Sequence, residues 1–150
     1  MKPKSCALIV LWFFAFCASA ATPWSSLGEP VAIQGYDPVA YFTKNAAARG
    51  NAKHYFEWSG MTWFFVSSEN RDQFVAAPEK YAPQYGGFCA LSVAEGKNAR
   101  GSGEAWTVHE GKLYLNANSN VAANFQSDPN RHIARAQGWW PTVKARIEKQ

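Results

Sequence analysis

His54-Tyr55-Phe56-Glu57-Trp58-Ser59-Gly60-Met61-Thr62-Trp63-Phe64-Phe65-Val66 carries the clearest structural signal in the chain. Aromatic residues suit a pleated, half-buried surface, and Ser59-Gly60 marks a tight turn. A two-residue turn there pairs Trp58 with Met61, Phe56 with Trp63, and His54 with Phe65. Alternation then puts His54, Phe56, Trp58, Met61, Trp63 and Phe65 on one face. The opposite face holds Tyr55, Glu57, Thr62 and Phe64. The stretch is therefore predicted to be a β-hairpin with His54 on its apolar side.

Working outward, Ser67-Ser68-Glu69 reads as a helix start, with a hydroxyl cap and an acid in the first turn. That helix carries Arg71, Phe74 and Val75. Pro78 opens a further helical turn and Pro83 closes it. In Tyr85-Gly86-Gly87-Phe88-Cys89-Ala90 the paired glycines point to a backbone conformation that side chains would block. Trp106 to Asn116 is a second hairpin turning at Glu110-Gly111, with Val108 opposite Leu113 and Trp106 opposite Leu115. His109 pairs with Lys112 on its wetter face.

The C-terminal third reads as helical, from Asn120 to Gln126 and again from Asp128-Pro129. A break is expected near Gly138 and Pro141, and Trp139 and Trp140 are expected to pack this tail on the sheet. Upstream, Gly35 and Asp37-Pro38 are turn signals between the short apolar stretches of 31–42. Residues 43–52 read as a loop, and no internal repeat is evident. The expected fold is α+β, a small single domain with two antiparallel hairpins, a central helix and a helical C-terminal segment.

The N-terminus has the three parts of a secretory signal. Lys2 and Lys4 are followed by the uncharged apolar run Cys6 to Cys17, and Ala18-Ser19-Ala20 offers a small-residue cleavage site. Residues 1–20 are thus expected to be removed on export to the periplasm or outside the cell. Residues 21–34 read as an exposed lead-in. The apolar run is short for a membrane span, so no membrane insertion is expected after cleavage. The chain's formal charge of +4 includes the two signal lysines. With no basic run beyond them, nucleic acid is not an expected partner.

Cleavage would leave Cys89 as the sole cysteine, unable to form an internal disulfide. Its thiol is free, bound to a metal or joined to another molecule, or it is a small buried hydrophobe.

Several motifs together resemble the exported branch of YHS-domain proteins. They are Gly35-Tyr36-Asp37-Pro38-Val39-Ala40-Tyr41-Phe42, Ser68-Glu69-Asn70-Arg71 with Phe74, and Pro78 through Ala90. Trp106-Thr107-Val108 and Gly111 through Asn116 continue the likeness. It implies a YHS-like domain over residues 35–150 with a C-terminal helical extension. The wider family is related to small treble-clef-like metal-binding domains and occurs with metal-handling proteins, so a partner of that kind is implied. In those relatives cysteines stand where this chain has Ala40, Val66 and Asn70. The usual cysteine-rich site cannot be built here.

Cys89 is the remaining soft ligand. A thiolate suits Cu(I) or Zn(II), and imidazole commonly completes such sites. His54 is the candidate second donor, and two donors can hold linear Cu(I). The bland reading of His54 is a core imidazole bonded to a carbonyl. Asp37 is a candidate ligand or a turn-former whose carboxylate bonds nearby amides. Tyr36, Tyr41, Trp58 and Trp63 could line a small-molecule pocket or fill the core. His109 and His132 read as solvated.

Three functions follow as expectations: non-catalytic Cu(I) sequestration or hand-over through Cys89, a metal-free module binding a small molecule or protein through an aromatic pocket, and a thiol enzyme using Cys89 with His54. There is no phosphate-cradling glycine loop, paired-carboxylate motif or helical zinc motif to support other chemistry.

Overall fold

A computed structural model describes residues 30–149. The signal peptide expected at 1–20 and the lead-in up to residue 29 lie outside the described residues. The fold is α+β, with two antiparallel two-stranded sheets, β1 (Asn51–Trp58) with β2 (Met61–Phe65) and β3 (Ser102–His109) with β4 (Lys112–Asn116). The helices are α1 (Ala40–Thr43), α2 (Ser68–Ala76), α3 (Pro78–Tyr81), α4 (Ala90–Ala94), α5 (Ser119–Ser127) and α6 (Pro129–Ile147).

The chain is built from one unit used twice, although no repeat was expected. From the hairpins onward every element of the first unit recurs 51 residues later: Asn51 to Ser102, Met61 to Lys112, Ser68 to Ser119, Pro78 to Pro129. Ahead of the hairpins, Ala32–Gly35 and Gln84–Gly87 form matching tight turns. In both, three consecutive residues are left-handed: Ile33, Gln34 and Gly35 at φ of 50°, 51° and 84°, and Tyr85, Gly86 and Gly87 at 54°, 60° and 77°. Left-handed backbone is strained for a β-branched residue such as Ile33. Its recurrence marks a feature of the unit.

Finer details repeat as well. The hairpin turns Ser59-Gly60 and Glu110-Gly111 each place two residues at positive φ, as a type I′ turn requires. Each first strand bulges, between Asn51 and Tyr55 and between Ser102 and Trp106. Asn51 Oδ1 accepts the Lys53 N–H at 2.9 Å, and Ser102 Oγ accepts the Glu104 N–H at 3.2 Å. These local bonds draw the backbone away from the ladder. They explain a correction: Trp58–Met61 and Phe56–Trp63 pair as expected, but Asn51, not His54, stands opposite Phe65.

The aromatic residues form the core of the first unit. Phe74 is fully buried, with ring centroids 4.9 Å from Trp63, 5.3 Å from Phe65, 5.7 Å from Trp58 and 6.4 Å from Phe56. Burying one such side chain stabilises the fold by about 1.5–3 kcal/mol. Leu113 and Leu115 of β4 belong to the same cluster, so the two units share a core. The lead-in is shorter than expected, because Val31 bridges Thr62 and both Ala32 and Ile33 are buried.

The first unit docks on the start of β3. The Gln34 side-chain amide donates to Gly101 O at 3.2 Å and accepts from Gly103 N at 2.9 Å. The Tyr41 hydroxyl donates to Gly103 O at 2.7 Å. A Cβ on Gly103 would lie 2.3 Å from the Tyr36 ring, so this approach needs glycine. The corresponding residue of the first unit, Ala52, is exposed.

α6 runs unbroken through Gly138 and Pro141, contrary to expectation. Ile133, Ala136, Trp140, Val143 and Ile147 keep helical spacing along its inner face, packed with α4, while Gly138 and Pro141 are exposed. Trp140 meets the Tyr85 ring at 5.6 Å, whereas Trp139 lies over Gly96 and stays 46% exposed.

Candidate functional site

Asp37 is completely buried, between the left-handed turn and α1. Pro38 follows it, and the chain turns back so that the carboxylate faces the next two amides. Oδ1 accepts the Val39 N–H at 2.8 Å and the Ala40 N–H at 3.3 Å. Oδ2 accepts the Val66 N–H at 2.9 Å and the Asn70 side-chain amide at 2.7 Å. Ala40, Val66 and Asn70 are the three positions that the resembled family fills with cysteine. Here one carboxylate ties all three together. Its lone pairs are engaged by four donors, which leaves Asp37 a structural role.

Cys89 is the counterpart of Asp37 in the second unit. Asp37 N–H donates to Ala48 O at 2.8 Å, and Cys89 N–H donates to Ala99 O at 2.9 Å. The flanking residues match too: Ala48-Arg49-Gly50 recurs as Ala99-Arg100-Gly101. Tyr36 bridges Arg49, and Phe88 bridges Arg100. The Cys89 side chain is 0% exposed, packed beside Leu115 and Asn116. Of the alternatives open to this thiol, the structure matches the small buried hydrophobe. The glycines before it serve the left-handed turn.

His54 lies in the bulge of β1, half-buried beside α2. It lies within electrostatic reach of Glu69 at the start of α2. The Glu69 carboxyl is held below its usual range first by its own backbone N–H, then by the Ser67 and Ser68 hydroxyls, and last by His54. The bulge takes His54 out of the register that would set it opposite Phe65, while Cys89 lies in the second unit beside Leu115 and Asn116. His109 shares a 2.9 Å hydrogen bond with Asn130, and His132 stacks on Phe125.

The predicted aromatic pocket is core instead. Tyr36, Tyr41 and Trp63 are 6%, 1% and 0% exposed, and Trp58 packs on Trp63 and Phe74. In a small domain with few aliphatic residues, aromatics are needed inside. Burial pushes the Tyr41 hydroxyl far above its usual range. The Tyr36 hydroxyl is raised chiefly by its 2.6 Å hydrogen bond to Glu104, then by burial. The Arg49 guanidinium, 4.5 Å from the Tyr36 ring, opposes this.

Open concave surface lies elsewhere. A groove of about 440 Å³ is lined by Ser102, Glu104, Ala105, Ala117, Asn118 and Ser119. It runs between the bulge of β3 and the start of α5. Its charged group is Glu104, exposed and steadied by the Tyr36 hydroxyl. Sequence reasoning missed this groove, since nothing in the local pattern announces a bulge at Ser102.

No family model, characterised protein or solved structure matches the chain.

The residues present do not fit the metal that the resemblance implies. Among the described residues no three His, Cys, Asp or Glu side chains converge as a metal site. The thiolate positions are Ala40, Val66 and Asn70, and the nearby carboxylate is consumed by N–H donors. Cys89 is sealed in the other unit, apart from His54.

Proposed function

We propose that this chain is a non-catalytic, metal-independent binding module, exported after loss of residues 1–20. Its YHS-like architecture would then serve as a scaffold rather than as a metal carrier. The observation that carries this reading is the Asp37 network. A carboxylate with four N–H partners does for the fold what a bound ion does in a cysteine-rich knuckle. Burial of Cys89 favours the same reading over copper hand-over, which needs a thiol that a partner can reach. The groove beside Glu104 is the seat we assign to the ligand, and its carboxylate suits a small cationic or hydroxyl-bearing group.

The test is metal retention. Purified protein, loaded with Cu(I) or Zn(II) and passed over a competing chelator, should keep no stoichiometric metal. Its thermal midpoint should be the same with and without chelator. One ion retained per chain, lost in Cys89→Ser, would restore the copper reading.

A further inference from the structure

α6 has a second face. Its inner row, Ile133, Ala136, Trp140, Val143 and Ile147, packs against the domain. A parallel outer row reads Arg131, Arg135, Trp139, Thr142 and Arg146, with Lys149 just beyond the helix, at the same helical spacing. Every member of this outer row is exposed. Pro129–Ile147 contains no Asp or Glu, so no acid interrupts it. Among the described residues, Arg131, Arg135, Arg146 and Lys149 form no ion pair. Glu148, just past the helix, pairs with Lys144 at 3.6 Å instead.

The exposed helix of the first unit is built differently. α2 carries Glu69 in its first turn, and Arg71 is bonded to Asp72 at 2.9 Å. That is a solvated face of mixed sign. On α6, Arg131 stands in the first turn, where the helix dipole disfavours a cation. Its place in the row therefore costs helix stability rather than adding to it. Trp139 sits mid-row and remains 46% exposed. Its ring lies over Gly96, and the Arg146 guanidinium donates to Gly96 O at 3.1 Å. One backbone turn after α4 thus steadies both an indole and a guanidinium that stay open to solvent. Beside them Pro141, Thr142, Ala145, Arg146 and Lys149 line a shallow depression of about 520 Å³, with two cations among short side chains.

We propose that the outer face of α6 docks on an anionic bilayer, with its four cations over lipid phosphates and Trp139 at headgroup depth. Each cation brought to an anionic lipid surface adds to the attraction. Arginine matches phosphate oxygens with a planar fork of donors. Tryptophan favours that boundary because its ring is apolar and its N–H is polar. An acidic protein would need shape complementarity along the whole row, whereas a bilayer needs only charge and an interfacial ring. Nucleic acid would also suit the cations, and the choice of bilayer over it rests on the export proposed above. The contact is peripheral: among the described residues no helix is long and apolar enough to cross a membrane. None of these side chains lines the groove beside Glu104, so lipid docking and ligand binding are separable.

The experiment uses the exported form from Ala21, because the apolar run of the signal would itself bind lipid. The protein is sedimented with vesicles of phosphatidylcholine containing phosphatidylglycerol, and separately with phosphatidylcholine alone. Binding is expected to the anionic vesicles only, and it should weaken as salt rises. Arg135→Gln with Lys149→Gln should weaken the partition by about tenfold or more. Lys44→Gln with Lys53→Gln removes the same charge from exposed positions of the first unit and should change it far less. All four side chains are exposed, so both variants should keep the parent's thermal midpoint. Lipid brominated in its acyl chains should quench part of the tryptophan emission, and Trp139→Phe should lose that part. No binding to the anionic vesicles, equal binding to both kinds, or equal losses in the two charge variants would overturn the proposal. So would quenching unchanged in Trp139→Phe, or tighter binding to duplex DNA or polyglutamate than to the vesicles.

Discussion

The two units share a backbone plan and differ in what ties it down. In the first, a carboxylate gathers four donors from the turn, the end of β2 and the start of α2. In the second, the same position is a thiol, and Asn116 supplies the cap from a different strand. The first unit is tied from within by that carboxylate, although its core also takes in Leu113 and Leu115 of β4. The second is packed by its own long α6 against α4 and is held at the β3 backbone by Gln34 and Tyr41 of the first. A fold used twice has thus been stabilised in two ways, and each should fail differently.

The largest expected difference is at the two equivalent side chains. Asp37→Ala leaves three backbone N–H groups and the Asn70 amide without their acceptor inside the protein. The expected loss is about 3–5 kcal/mol in denaturant unfolding. Cys89→Ala removes a small, weakly bonded sulfur and should cost about 1 kcal/mol. Equal losses at the two positions would mean that the carboxylate does not organise the first unit.

Much of this plan was legible in the sequence, for identifiable reasons. Both hairpins announce themselves through aromatic strands and turns ending in Gly60 and Gly111, which need positive φ. The cap at Ser67 and the proline start at Pro78 were equally readable. The repeat was not, because equivalent positions keep their geometry while changing their chemistry: Asp37 against Cys89, Tyr36 against Phe88, Trp58 against His109. Only short anchors such as Ala-Arg-Gly survive. The placement of His54 was hidden for a different reason. A side chain–backbone bond from Asn51 decides the bulge, and strand alternation takes no account of it. The candidate pocket failed because aromaticity cannot separate a binding wall from a core.

A second, smaller contrast concerns alkaline pH. Tyr36 and Tyr41 in the first unit, and Tyr85 and Tyr114 in the second, all have hydroxyls raised above the ordinary value of 10.0. For Tyr41, Tyr85 and Tyr114 burial is the leading cause; for Tyr36 it is the bond to Glu104. Above pH 10 the unfolded chain gives up these protons while the folded chain keeps them. The folded state then binds more protons, so stability falls as pH rises. Below that range these groups contribute no pH dependence. Urea unfolding from pH 8 to 11 should show a flat region and then a decline. Tyr41→Phe should flatten the decline more than Tyr114→Phe, since Tyr41 is the more strongly shifted. A decline unchanged in both variants would assign it to other groups.

The smallest contrast is between the two helix caps, which look alike and should not behave alike. Ser67 Oγ accepts the Asn70 N–H at 3.2 Å, and Asn118 Oδ1 accepts the Val121 N–H at 3.0 Å. Each is worth about 1 kcal/mol when replaced by Ala. Ser67, however, stands between Val66, whose N–H donates to Asp37, and it fixes the turn from which Asn70 does the same. Loosening that turn weakens two bonds of the carboxylate network as well as the cap. Asn118 borders no such network; its neighbours Ala117 and Ser119 line the open groove. Ser67→Ala should therefore cost more than Asn118→Ala, and the excess should vanish in an Asp37→Asn background. A double-mutant cycle measures it directly, because coupled neighbours depart from additivity while distant sites do not. An excess that persists without the Asp37 carboxylate would show that the two caps differ only in their own hydrogen bonds.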